Sequence, residues 1–190
     1  YAATSTTTFY AVSSSTVTVT YDANGGSGAP DASTGTKLYY CTSTTAATVS
    51  NPSITLSSTK PTQDDYVFFE WSSAADASGD PYTPGTAYTF SEDTTLYALW
   101  DEAIVKCVTG GVTTHYGSIT NAFDNASTTA KTTCTLLVDH TESVASSRAL
   151  YNTVLNLNSK TLTGSINNPS GATLTIKNGT MTTTDAINET

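Results

Sequence analysis

The groups in this sequence that could do chemistry are few and scattered. Cleaving a polysaccharide takes paired carboxylates, or a carboxylate with Arg or Lys, converging on a groove. The C-terminal part offers Asp139, Glu142, Arg148, Lys160, Lys177 and Asp185, and none recurs at a fixed spacing that would stack it on one face. Asp139 and Arg148 read as solvated loop charges. His115 and His140 have no His or Cys partner at metal-ligand spacing and read as surface or strand-edge histidines. "DANGG" and "NPSG" lack the acidic pattern of a calcium loop, and Asp64, Asp65 and the Asp76/Asp80 pair read as solvated turns rather than a weak cation site. The expectation is no catalytic residue, no cofactor and no metal.

Three cysteines, Cys41, Cys107 and Cys134, have neither CxxC nor Cys/His spacing. Two readings stay open: three buried thiols, or a Cys107–Cys134 pair that leaves Cys41 free. Tyr66, Phe68, Phe69, Trp71 and Trp100 form the strongest aromatic cluster. It is either a sugar-stacking platform or the core of a small β domain, and the second reading is favoured because a strand must bury its inward face. Tyr39 and Tyr40, in a Thr-rich excursion, are the better candidates for an exposed contact. The sequons at Asn125, Asn178 and Asn188 are expected by chance in so Thr-rich a chain.

Composition bounds the partners. Roughly a third of the 190 residues are Ser or Thr, far above ordinary globular usage, and charged residues make up only 12%. Seven Lys and Arg stand against sixteen Asp and Glu, a net charge of −9. That balance argues against nucleic acid and against an anionic membrane surface, both of which need clustered cations. No apolar run approaches the roughly 18–20 residues that span a bilayer, and no targeting signal is legible. Thr-, Ser-, Val-, Tyr- and Gly-rich, Lys-poor chains of this kind suit β-rich extracellular proteins.

These residues must be positioned by strands. "TVTVTY", Thr16 to Tyr21, alternates with a period of two, placing Val17, Val19 and Tyr21 on one face. It runs into Asn24-Gly25-Gly26, which could cradle a phosphate only if a helix followed. None does, so the pair marks a turn. A strand is expected from Tyr66 to Trp71, another over "TTLYALW", and an extra one at "KLYYC" within a loop-rich excursion from Thr36 to Thr59; "DASGDPYTPGTAYTF" reads as loop. From Ala103, "AIVKCVTGGVTTHY" reads as strand, Gly-Gly turn and strand. Ser118 then offers an N-cap to a short amphipathic helix carrying Ile119, Ala122, Phe123 and Ala126.

Two repeats organise the chain. "YAATSTTTFYAVS" (Tyr1–Ser13) aligns without a gap on "YTFSEDTTLYALW" (Tyr88–Trp100), so the chain is expected to open on the closing strand of a preceding unit. Further on, Leu136, Leu155 and Leu174 fall 19 residues apart, as do Leu162 and Met181. Each begins an apolar-x-apolar strand followed by a bend, the grammar of a stacked β-solenoid. The expected divisions are residues 1–13, a closing strand; 14–102, a complete module; and 103–190, the capped opening of a solenoid that stops uncapped.

The first module resembles the Listeria–Bacteroides repeat, the internalin B-repeat family. Its "V-x-Y/F-D-x-N-G-G", "P-T-x-x-G-Y-x-F-x-G-W" and "T-L-Y-A-x-W" motifs fall on Tyr21–Gly26, Pro61–Trp71 and Thr95–Trp100. Asp65 and Glu70 stand where the family usually has Gly, which implies an altered bend before Trp71. The resemblance implies a small β-grasp-like domain, found in tandem on bacterial surface proteins and without catalytic residues. "GSITNAFDNAS…TCTLLVDHTES…TVLNLNSKTLTGSI…ATLTIKNGTMT" resembles the start of a right-handed parallel β-helix of the pectin-lyase-like class, whose helix caps the coil.

The resulting expectation is a mainly β, non-catalytic structural or adhesive module, extracellular on a bacterial cell surface. Its partners would be neighbouring repeats or copies of itself, with the strand Tyr1–Val12 and the coil end at Thr190 as sticky edges, or a host or polysaccharide surface. No nucleic acid and no membrane insertion are expected. The rival classes are a carbohydrate-active β-helix protein of the lyase or hydrolase kind and a glycan-binding module.

Overall fold

Alternating Val and Thr make the first strand, because β-branched side chains suit a pleated surface with one wet face. In the computed structural model, which describes residues 12–41, 47–147, 149–150, 152–168 and 173–183, this strand is β1 (Val12–Asp22), four residues longer at its start than its alternation suggests. Val17, Val19 and Tyr21 are buried while Thr16 and Thr20 face solvent. The repeat over Tyr1–Ser13 falls outside the described residues except for Val12 and Ser13, as do Arg148, Asp185, Asn188 and Thr190.

The chain divides into two compact units, Tyr1–Thr62 with Phe68–Leu99, and Gln63–Val67 with Trp100–Thr190. In the first, β1 turns at Asn24-Gly25, whose φ of 46° and 94° are left-handed values that suit Asn and Gly. It returns as β2 (Ser33–Cys41), then β3 (Ala47–Ser50) and β4 (Ser53–Thr55). After β5 (Tyr66–Ser72) come β6 (Pro81–Tyr82), β7 (Ala87–Thr89) and β8 (Thr94–Glu102). One mixed sheet has the order β3-β2-β1-β8-β5-β6, with β1 antiparallel to β2 and parallel to β8. β4 and β7 pair separately.

The aromatic stretch expected as loop thus supplies two short strands. Tyr82 lies against Tyr88 and Phe90, with ring centroids 4.9 and 5.7 Å apart, and these contacts hold β6 and β7 between the Gly and Pro turns. The core gathers round Trp71, fully buried with Tyr21 at 4.9 Å and Phe68 at 5.1 Å.

In the second unit β9 (Val105–Thr109) and β10 (Val112–Tyr116) form the hairpin turned at Gly110-Gly111. Helix α1 (Ile119–Asp124) follows, with the Ser118 side chain accepting from the Asn121 N–H at 3.1 Å and Ile119, Ala122 and Phe123 buried. Then come β11 (Thr132–Leu136), β12 (His140–Thr141), β13 (Val144–Ala145), β14 (Thr153–Asn156), β15 (Thr161–Thr163), β16 (Ile166–Asn167), β17 (Leu174–Lys177) and β18 (Thr180–Thr182). They stack in three parallel ladders: β11-β14-β17, β12-β15-β18 and β13-β16.

The ladder register corrects the expected spacing. Cys134 lies opposite Leu155 and Leu155 opposite Ile176, a step of 21 residues rather than 19; Leu162 and Met181 do pair at 19. A shift of two residues keeps the same side chains inward, so alternation cannot separate the two registers and the corner lengths decide. Leu136, Leu155, Leu157 and Leu162 are all buried in the resulting core.

Candidate functional site

The first unit's exposed chemistry lies on β1, β2 and β3. Tyr39 pairs with Ser13 on one side and Val49 on the other, while Tyr40 pairs with Val12 and Thr48. Neighbouring residues of a strand point to opposite faces, so the two tyrosines do not form one contact surface. Tyr39 is 38% exposed. A hydrogen bond from Ser15 and the Lys37 ammonium, 5.4 Å from the ring centroid, hold its phenol below the usual tyrosine range. Lys37 also donates to the Ser91 carbonyl at 2.7 Å, which fixes the cation.

Away from the buried Val17, Val19 and Tyr21, much of this ribbon is exposed among the described residues. The first five residues of β1 are exposed, and Val12, Leu38 and Val49 are exposed apolar side chains. Its outer strand, β3, pairs only with β2 among the described strands. Val12–Tyr21, Ser33–Cys41 and Ala47–Ser50 contain no Asp or Glu and one Lys, in a chain of net charge −9.

The aromatic cluster divides. Phe68 and Trp71 are core, whereas Phe69 is 60% exposed and Tyr66 is also exposed. Phe68 and Trp71, three apart, are both buried, so β5 departs from strict alternation over Phe69-Glu70. Asp65 takes φ 61°, the left-handed conformation that glycine adopts most readily, so its carboxylate occupies a position where the backbone itself demands a turn.

Charged groups in the second unit are engaged in holding the fold. Glu142 accepts from the backbone N–H groups of Ile119 and Thr120 at 2.8 and 2.9 Å, and His140 Nε2 lies 3.2 Å away. Burial pushes the Glu142 carboxyl up, but hydrogen bonds from Thr120 and Ile119 and the charge of His140 outweigh it and hold the group below its usual value. Asp139 accepts from the Thr161 N–H at 2.7 Å, and Asp124 accepts from Ser147 through both its N–H and its hydroxyl. His115 Nε2 lies 3.5 Å from Asp65. Among the described residues no three His, Cys, Asp or Glu side chains gather to hold a metal ion.

Cys107 and Cys134 lie directly opposite on antiparallel β9 and β11 and are joined, S–S 2.01 Å. Cys41 closes β2 opposite Ala47. One concavity among the described residues of this unit is a corner lined by Asn156, Asn158, Ser159, Asn178, Gly179 and Thr180, where the Asn178 amide donates to the Asn156 carbonyl oxygen at 3.1 Å. It carries neither an aromatic ring nor a charge.

Two residues named in the sequence hold positions it did not assign them. The Asn24 side-chain amide donates to the carbonyls of Ala75 and Ala98, both at 2.9 Å, so the turn residue ties three segments of the first unit together. The signal for it was the Asn of Asn-Gly-Gly, which looked like turn chemistry alone. The capping role of Glu142 has no local signal, because the backbone N–H groups it accepts from lie more than twenty residues away.

These fold marks define a repeat-type β module. The family model of the Listeria-Bacteroides repeat domain matches residues 18–99, from within β1 to within β8. No curated protein and no solved structure matches the chain.

Proposed function

We propose that the chain is a non-catalytic structural and adhesive segment of a bacterial cell-surface protein. In this reading the first unit is a β-grasp-like repeat and the second is the capped opening of a right-handed parallel β-helix of the pectin-lyase-like class. The observation that carries it is the repeat-domain match over residues 18–99, since such repeats are typical of bacterial surface proteins. Three parallel ladders behind a capping helix support the second half. The acidic side chains support a structural role, because Glu142, Asp139 and Asp124 are committed to backbone N–H groups. Work would be done by stacked sheets that hold a distal surface away from the cell. Antibodies against the chain are expected to label intact cells of the source bacterium; labelling only after lysis would overturn the surface assignment. Incubation of the full-length protein with acidic polysaccharides is expected to leave them uncut, and cleavage would establish the carbohydrate-active rival.

A further inference from the structure

The two ends of the six-stranded sheet are built differently. At one end β6 has two residues, one of them Pro81, which has no N–H to offer a further strand. At the other, β3 reads Ala-Thr-Val-Ser, with no proline, no charge and an exposed Val49. Among the described residues β3 pairs with β2 alone, so no described strand takes up its second row of N–H and C=O groups. Proteins usually defend such an edge with Lys, Pro or a bulge, and β3 has none of these in its four residues.

We propose that β3 is a self-association seam, pairing antiparallel with the β3 strand of a second copy of this chain. This rests on the reading of the chain as a surface module that assembles. The occupant follows from charge and symmetry. Two molecules of net charge −9 repel, and they can approach at the ribbon of β1, β2 and β3, where no carboxylate lies between Val12 and Tyr21, in β2 or in β3. Its one cation, Lys37, is already held by the Ser91 carbonyl, so the ribbon offers little to an acidic partner. Antiparallel pairing of identical strands about a two-fold axis is self-complementary, and with the axis at Val49 it sets Val49 against Val49 and Thr48 against Ser50 of the other copy. The continued sheet also draws the exposed Val49, Tyr39 and Leu38 towards their counterparts. Four residues make few hydrogen bonds, so the association is weak and concentration-dependent, and becomes effective when several copies are held side by side.

The test is sedimentation velocity over a concentration series on the intact chain, with Val49→Lys, Val49→Asp and an equimolar mixture of the two. The wild type is expected to shift towards dimer with concentration. Each variant alone should associate at least about tenfold more weakly, because like charges then face each other across the seam. The mixture should recover association, which a variant that merely unfolded could not do. Circular dichroism of each variant checks that the fold is kept. A wild type that stays monomeric, variants that associate as well as wild type, or a mixture that does not recover would each overturn the seam. The seam can fail while antibody labelling still places the chain on the cell surface, and labelling can fail while the seam stands.

Discussion

The two units build β structure from the same Thr-rich composition and close it in opposite ways. The first gathers its core round one large buried ring, Trp71, packed on by Tyr21 and Phe68 from strands far apart in sequence. The second spreads its core over repeated Leu positions, each turn covering the one before, and secures one end with a helix, a carboxylate and a disulfide. A core built around one ring is specified by motif, whereas a stacked core is specified by rhythm, and the two should fail differently.

The largest effect expected is at Trp71. Trp71→Ala removes the ring that Tyr21 and Phe68 pack on and should cost the first unit about 3–5 kcal/mol. Hydrogen exchange should lose protection in β1 and β8 while β11 and β14 keep theirs. Equal loss in both sets would break the contrast between a concentrated and a distributed core. The indole Nε1 is buried with no hydrogen-bond partner among the described residues. Trp71→Phe should therefore cost markedly less than Trp71→Ala, since it removes volume and an unpaired donor together.

Next is the disulfide. Cys107 and Cys134 are 27 residues apart, and their bond ties the hairpin strand β9 to the first strand of the stack. Replacing both with Ala should destabilise the second unit by about 2–4 kcal/mol, chiefly through the freedom returned to the unfolded chain. Chemical denaturation followed by exchange in β9 and β11 measures it. If the double variant unfolds at the same denaturant concentration, the stack holds its own end by packing. Asn24→Ala comes third: two carbonyls, of Ala75 and Ala98, lose a donor, and about 1–3 kcal/mol should go from the first unit. An unchanged melting temperature in Asn24→Ala would leave the residue as turn chemistry only.

The contrast also explains what could be read in advance. Strand β1, the Gly110-Gly111 hairpin and helix α1 follow from periods and caps that lie within a few residues of one another. So does the likeness to the Listeria-Bacteroides repeat, whose motifs fall on Tyr21–Gly26, Pro61–Trp71 and Thr95–Trp100, inside or beside the region its model matches. Strands β6 and β7 were hidden, because Gly and Pro punctuation outweighs the pull of Tyr82, Tyr88 and Phe90 on one another. The 21-residue register was hidden because a 19-residue step buries the same alternate side chains. Phe69 looked like core because its neighbours Phe68 and Trp71 are core, and only their burial on either side of it shows that it faces outward. Tyr39 and Tyr40 were singled out together, and the pleat sends them to opposite faces. For the register the missing information is a contact between residues distant in the chain, whereas the separation of the two tyrosines follows from local alternation.

Glu142 is the smallest and sharpest test of the second unit's closure. Its two oxygens take one N–H each from Ile119 and Thr120, donors that a short helix cannot satisfy internally. The folded carboxyl is held below its usual value, so it contributes stability that is present above the unfolded value, roughly pH 4.3, and is lost as pH falls through the depressed folded value. Glu142→Gln keeps one acceptor oxygen and loses the charge, and should cost about 1 kcal/mol near neutral pH, within the range of helix-cap substitutions. The difference between wild type and variant should shrink as the solution is acidified below that point, because the wild-type carboxyl is then neutral as well. A difference that stays constant down to strong acid would mean that the carboxylate's charge contributes nothing. The capped end would then stand on Ser118, Phe123 and the disulfide alone, and the second unit would owe its closure to packing in the same way as the first.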